Sequence, residues 1–173
     1  MATFGKTDIG GSSDSNTSAV CYACKFTAPE DGTITKVTWY TRLNVAGNSK
    51  VAIYSDDAGD PKNILAVSDE VAVGTVAGWV DFPISLGITS GVKYWFAKMA
   101  SQSHHYWYDA GDVNQWAGDA GLTYPNFNDP FDVDANQAYE VSVYATYTTG
   151  GGGLTIPVAM HHYGHHIGKI IRG

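Results

Sequence analysis

The chain has 173 residues and a net charge of −7, with 44% hydrophobic and 16% charged residues. This is the composition of one folded domain rather than of a disordered segment. It holds only five Leu and three Glu against 13% aromatic residues. Strands favour aromatic and β-branched residues, so a helical bundle and a doubly wound α/β fold are disfavoured. The acidic balance also argues against nucleic-acid binding through a basic face, and no apolar run is long enough to span a membrane.

Strand signals recur along the first 149 residues, where apolar residues alternate with polar ones between turn clusters. In chain order, strands are predicted over residues 18–27, 33–43, 49–54, 64–67, 70–73, 78–82, 92–99, 104–109 and 138–148. Residues 44–48 are expected to close a hairpin, and residues 1–17 to form an N-terminal arm. So many short strands without helical periodicity predict an all-β fold, a two-sheet antiparallel, jelly-roll-like sandwich over 18–149 with a C-terminal extension.

The C-terminal extension differs from the body in composition. Residues 150–153 are four glycines, which are typical of a flexible linker. The tail, residues 154–173, has two basic residues, four histidines and no acid. Because its apolar side chains would reduce solubility if exposed, we expect the tail to dock on its own body or on a neighbour. The residues expected to dock are Leu154, Ile156, Val158, Met160, Ile167, Ile170 and Ile171.

Several segments together carry a resemblance to a known family. They are residues 26–29 (FTAP), 32–37 (GTITKV), 51–56 (VAIYSD), 59–61 (GDP), 65–66 (LA), 78–79 (GW) and 89–97 (TSGVKYWFA). Their order resembles a β-sandwich module of bacterial and archaeal surface proteins and of phage virion proteins. It is similar to carbohydrate-binding and adhesin-type jelly rolls. The resemblance covers about residues 18–109 and rests mainly on core and turn positions.

The cysteines and histidines are the residue types to consider for redox or metal chemistry. Cys21 and Cys24 lie three apart in a predicted strand, so they face opposite sides. Cys24 is expected in the core and Cys21 on the other face, rather than the two forming a redox pair. His104 and His105 alternate, so at most one faces inward. Residues 161–166 hold two histidine pairs at i, i+4, which would share a helix face, but no acid or Cys lies nearby to complete a metal site. We predict no metal site and no cofactor.

The acidic loops and the sequence motifs bear on catalysis. Residues 56–60 and 132–136 offer oxygen ligands that suit Ca²⁺, but neither matches the calcium-loop signature, and Asp and Asn are also common turn residues. The chain contains no nucleophile elbow, zinc-protease motif or phosphate-binding glycine loop. We therefore expect a protein that is not an enzyme and has no catalytic residues.

Aromatic side chains concentrate in and beside residues 110–136. Such side chains form a small core, fill a protein interface or stack on sugar rings. The candidates for contact with a sugar or a protein partner are Trp107, Tyr108, Trp116 and Tyr124.

Two functional hypotheses follow. The first is a non-enzymatic virion structural protein, either a capsid decoration protein or one associated with the tail or a fibre, that assembles through its C-terminal tail. It is motivated by the apolar tail and by an N-terminus without a secretion signal. Its partners would be capsid or tail subunits, copies of itself and host-surface glycans, without nucleic acid or membrane insertion. It would be assembled in the host cytoplasm. The alternative is a carbohydrate-binding or adhesin module that uses the loop aromatics.

Overall fold

The computed structural model describes residues 1–150, which form fourteen strands. The strands are β1 (Ala2–Gly5), β2 (Ser12–Asn16), β3 (Val20–Thr27), β4 (Gly32–Leu43), β5 (Gly47–Asp57), β6 (Asp60–Val67), β7 (Val71–Val73), β8 (Gly78–Ile88), β9 (Lys93–Ala100), β10 (His104–Ala110), β11 (Trp116–Ala120), β12 (Ala135–Gln137), β13 (Tyr139–Val141) and β14 (Val143–Thr149). Within this part of the chain, no helix has the length and apolar character needed to cross a membrane.

The strands form two antiparallel sheets, which confirms the predicted two-sheet antiparallel β-sandwich. Sheet A is built around β4, the longest strand. One edge of β4 pairs with β8, and the other edge pairs first with β14 and then with β10. Outside these, β1 pairs with β14, while β2 and β13 pair with β10. Sheet B has the order β12-β11-β3-β9-β5-β6, and β7 also pairs with β5.

The main core lies between the two sheets. On β4, Val37 and Trp39 are fully buried and point inward, and they face Tyr22 and Phe96 from sheet B. The Tyr22 and Trp39 rings lie 5.3 Å apart in an edge-to-face arrangement. Each such side chain contributes about 1.5–3 kcal/mol by leaving water, so this layer supplies most of the stability of the sandwich.

A second core covers the outer face of sheet B. Residues 121–134 fold back over this face, where Phe131 packs edge-to-face against Tyr54 with ring centroids 5.2 Å apart. The Tyr54 hydroxyl donates to the Asn128 carbonyl oxygen at 2.8 Å, and the buried Asp119 carboxylate accepts bonds from Asn128 Nδ2. Sheet B is therefore covered on both faces, whereas residues 1–150 leave the outer face of sheet A open.

Three details of the sequence-based organisation differ from the structure. Residues 1–17, expected to be an arm, contribute β1 and β2 to the edge of sheet A. Residues 44–48 do not close a hairpin, because β4 lies in sheet A and β5 in sheet B. The segment between them crosses from one sheet to the other. Turn-forming residues are compatible with such a crossover as well as with a hairpin, so the local sequence does not distinguish the two. The excursion after residue 110 contains β11 and β12.

The predictions for the two cysteines and for His104 and His105 are confirmed, whereas the histidine pairs of residues 161–166 lie outside the described residues. Cys24 lies in the core between the sheets and Cys21 in the core outside sheet B, both as free thiols. Burial raises the pKa of Cys24 to about 12, so this thiol stays protonated and unreactive at neutral pH. His104 is buried and His105 faces outward.

Candidate functional site

The open face of sheet A carries four neighbouring aromatic side chains, which we name the aromatic row. It consists of Trp79 on β8, Tyr40 on β4, Trp107 on β10 and Tyr144 on β14, all of them partly exposed. The Tyr40 ring centroid lies 5.3 Å from that of Trp79 and 5.0 Å from that of Trp107. The Tyr144 ring lies 5.2 Å from Trp79. All three contacts are edge-to-face, so the Tyr40 ring is steeply inclined to both indoles.

Strand alternation places these side chains on the outer face. On β4, Trp39 and Thr41 are buried, so Tyr40 between them points outward. On β10, Tyr106 is buried and Trp107 points outward. Tyr40 is directly opposite Trp79 in the β4–β8 register, which brings the two rings together across the strands.

A charged and hydroxylated patch borders one side of the aromatic row. Lys36 Nζ lies 2.6 Å from Asp81 Oδ2, and the Thr38 hydroxyl donates to Asp81 Oδ1 at 2.7 Å. Partial burial by itself raises the pKa of Asp81, but the bonds from Lys36 and Thr38 outweigh it and hold that pKa below its usual value. This carboxylate is therefore ionised and fixed in position beside Trp79, its neighbour on the same face of β8.

A basic patch borders the other side of the row. Arg42 lies two residues beyond Tyr40 on β4 and directly opposite His105 on β10. His105 Nε2 lies 2.8 Å from Asn44 Oδ1, which orients the imidazole. Partial burial, and then the charge of Arg42, lower the pKa of His105, so the ring is neutral at pH 7.

The four aromatic residues that the sequence analysis named as contact candidates lie in different parts of the structure. Only Trp107 belongs to the aromatic row. Tyr108 is half-buried at the margin of the main core, with its ring 4.1 Å from that of Tyr139. Trp116 is 7% exposed and lies inside the main core rather than on a loop face. Tyr124 packs on the outer face of sheet B with its hydroxyl oxygen buried.

Tyr40, Trp79 and Tyr144 were missed as candidate residues. Alternation in the sequence already turns Tyr40 and Tyr144 away from the apolar face of their strands. Their proximity, however, depends on the pairing of β4 with β8, β14 and β10, which single-strand patterns do not contain.

The acidic loops have structural roles in residues 1–150. Asp56 accepts a bond from Trp95 Nε1 at 2.9 Å and another from the Gly59 amide at 3.3 Å, so it fixes a turn. The Asp132 amide donates to Asp119 Oδ2 at 3.2 Å. No group of three or more His, Cys, Asp or Glu side chains converges as metal ligands in this part of the chain. The seven tail residues expected to dock lie outside the described residues, so the tail-assembly hypothesis stays a prediction.

A shallow cavity of about 300 Å³ lies away from the aromatic row, at the end of sheet B. It is lined by Lys25, Lys93, Asp112 and Gln115 among others. Lys25 donates to the Gly59 carbonyl oxygen at 2.9 Å, and Gln115 Oε1 accepts from the Asp112 amide at 2.8 Å. These polar groups already hold loops in place, so the open face of sheet A is the stronger candidate site.

The comparisons with known proteins bear on the fold. No family model matches the sequence, and no curated protein matches it either. Among solved structures, the chain is similar to the cysteine protease and lectin-like domains of Cwp84, a surface layer associated protein of Clostridium difficile. The TM-score is 0.57 with 12% sequence identity, over 81% of this chain and 36% of that one. At this identity the likeness concerns the fold alone, and this chain spans about a third of the matched protein.

Proposed function

We propose that the protein is a glycan-binding module that holds sugars on the aromatic row. The observation that carries the proposal is the cluster of Trp79, Tyr40, Trp107 and Tyr144 on the one sheet face that the described chain leaves open. Four partly exposed rings in contact form an apolar patch on an otherwise polar face. Such patches mark surfaces that bind a partner or ligand.

The chemistry of the face suits a sugar. The C–H faces of a pyranose ring are apolar and stack on aromatic rings, while its hydroxyl groups need hydrogen-bond partners at the edge. Asp81 and Asn44 supply carboxylate and amide groups beside the rings, and the buried Thr38 hydroxyl holds the Asp81 carboxylate in place. Apolar rings bordered by fixed polar groups are the usual composition of a small-molecule site.

The structural comparison supports the same class of function. The matched protein is described as having a lectin-like domain and as being associated with a surface layer. The likeness supports the carbohydrate-binding hypothesis at the level of fold class, and the aromatic row supplies the independent argument from this chain.

Substitutions in the aromatic row test the proposal directly. Titration of a glycan panel should identify a binder, and Trp79→Ala and Trp107→Ala should each weaken its binding about 10-fold, because each removes a stacking surface worth about 1.4 kcal/mol. Both side chains are partly exposed, so the variants should keep their fold by circular dichroism.

Val113→Ala is the matched control, since Val113 is an apolar residue that is 81% exposed and lines the cavity at the end of sheet B rather than the aromatic row. It should bind the glycan as the wild type does. If no member of a broad neutral and acidic panel binds, or if both tryptophan variants bind normally, the proposed function is wrong.

A further inference from the structure

Arg42 is the cation on the open face of sheet A whose charge has no partner in residues 1–150. Lys36 is paired with Asp81 at 2.6 Å. Lys6 is paired with Asp109 at 2.8 Å and with Asp8 at 3.0 Å. The Arg42 guanidinium forms neither an ion pair nor a cation–π contact with any residue of the described part.

The position of Arg42 relates it to the aromatic row. It lies on the same face of β4 as Tyr40 and two residues further along, a displacement of about 7 Å in an extended strand. His105, directly opposite on β10, lies two residues before Trp107 on the same outer face. A sugar stacked on Tyr40 or on Trp107 would therefore present its substituents to Arg42.

We propose that Arg42 forms a carboxylate subsite, so that the ligand of the aromatic row is an acidic glycan with carboxylated sugars. This inference rests on the proposed glycan-binding function. A guanidinium presents N–H donors in a planar fork that matches the two oxygens of a carboxylate. Arg42 is half-buried, so the pair would form in a partly dry environment, where charge-assisted hydrogen bonds are stronger than in open water.

The net charge of −7 does not oppose an acidic ligand at this position. On this face Asp81 is neutralised by Lys36 at 2.6 Å. Lys6 is shared by Asp109, Asp8 and Glu140, so this cluster stays net negative, but Asp109 lies four residues from His105 along β10, about 13 Å in an extended strand. Charges elsewhere on the surface are largely screened beyond about 8–10 Å at ordinary ionic strength. Beside Tyr40, Arg42 is the cation without an ion-pair partner in residues 1–150, and the carboxylate that acts on the His105 imidazole opposite it is Asp14 on β2.

Calorimetric titration with paired ligands tests the subsite. The probes are oligosaccharides of galacturonate, glucuronate, mannuronate and sialic acid, each compared with the same compound carrying esterified carboxyls, and one sulfated oligosaccharide. We expect the wild type to bind an acidic member about 10-fold or more tightly than its esterified form. Arg42→Gln should abolish this preference while leaving the weaker binding of the ester unchanged.

Two control variants separate the subsite from a general effect of charge. Lys62→Gln removes one positive charge from an exposed lysine on β6 of sheet B, away from the aromatic row, and should keep the preference. Arg42→Lys keeps the charge without the planar fork and should keep part of the preference.

Each outcome has a defined meaning. Equal binding of acid and ester by the wild type, or a preference that survives in Arg42→Gln, overturns the subsite while the glycan-binding function stands. Binding of the sulfated probe without any carboxylated one overturns the carboxylate assignment. If neither acidic, esterified nor neutral sugars bind to the wild type, the proposed function itself fails.

Discussion

At the scale of single residues, Lys98 is the most unusual side chain. It is fully buried on the inner face of β9, where Nζ lies 3.3 Å from the Tyr22 hydroxyl and 5.4 Å from the Tyr22 ring centroid. His104 stacks on the same Tyr22 ring, with the two ring centroids 5.1 Å apart. Burial lowers the pKa of Lys98 to about 7. The side chain thus places an amine in the core with a hydroxyl group as its hydrogen-bond partner.

This burial predicts how stability depends on pH. In the unfolded chain Lys98 stays protonated to near its usual pKa of 10.5, while in the folded chain it loses its proton above about pH 7. The unfolded state then binds more protons, so the free energy of unfolding rises with pH. Between about pH 7.5 and 8.5 we expect a rise of about 1 kcal/mol in urea denaturation.

Lys98→Met provides the comparison, because it keeps an unbranched side chain of similar length without the amine. Its free energy of unfolding should not rise over the same pH interval. Burial keeps Cys21 and Cys24 protonated in the folded chain, whereas in the unfolded chain they begin to ionise as the pH approaches 9, so stability in the variant should fall slightly. His104 has a pKa well below 6.5, so it is neutral in the folded protein there. An equal rise with pH in Lys98→Met would show that another group is responsible.

At the scale of strands and loops, some strands can be predicted from the local sequence, whereas others form only because they pair with a neighbouring strand. Alternation correctly predicted that Val37 and Trp39 on β4 and Val143 and Ala145 on β14 face inward. It did not predict the register irregularity in each strand or the division of the strand predicted over 138–148 into β13 and β14. β2 reads Ser-Ser-Asp-Ser-Asn and has no apolar alternation, because it is a polar edge strand held by pairing with β10. Its strand conformation depends on β10, which the local sequence does not contain.

The loop that covers sheet B is expected to be an integral part of the fold. Phe131 is buried against Tyr54 in the outer core. Phe131→Ala should lower the free energy of unfolding by about 3 kcal/mol, through lost burial and the cavity left behind. Chemical denaturation measures this, with the exposed Val113→Ala as control at less than about 0.5 kcal/mol. A change in Phe131→Ala as small as in the control would mean that residues 121–134 do not seal this face.

At the scale of the whole molecule, the two sheets differ in whether residues 1–150 cover their outer faces. Sheet B is covered from outside by residues 121–134, whereas sheet A exposes the aromatic row. The sequence predicted the sandwich and one member of the row, Trp107. The other members required the register between β4, β8 and β14, and register is set by tertiary packing rather than by the pattern of any single strand.

The most direct test uses the five tryptophan indole N–H signals in a ¹H–¹⁵N nuclear magnetic resonance spectrum. Trp39, Trp95 and Trp116 are buried, whereas Trp79 and Trp107 lie in the aromatic row, so the molecule carries its own internal controls. On addition of a glycan that binds, we expect the Trp79 and Trp107 signals to shift in parallel with binding and the other three to change little. Unchanged Trp79 and Trp107 signals in the presence of a bound glycan would contradict binding on the aromatic row.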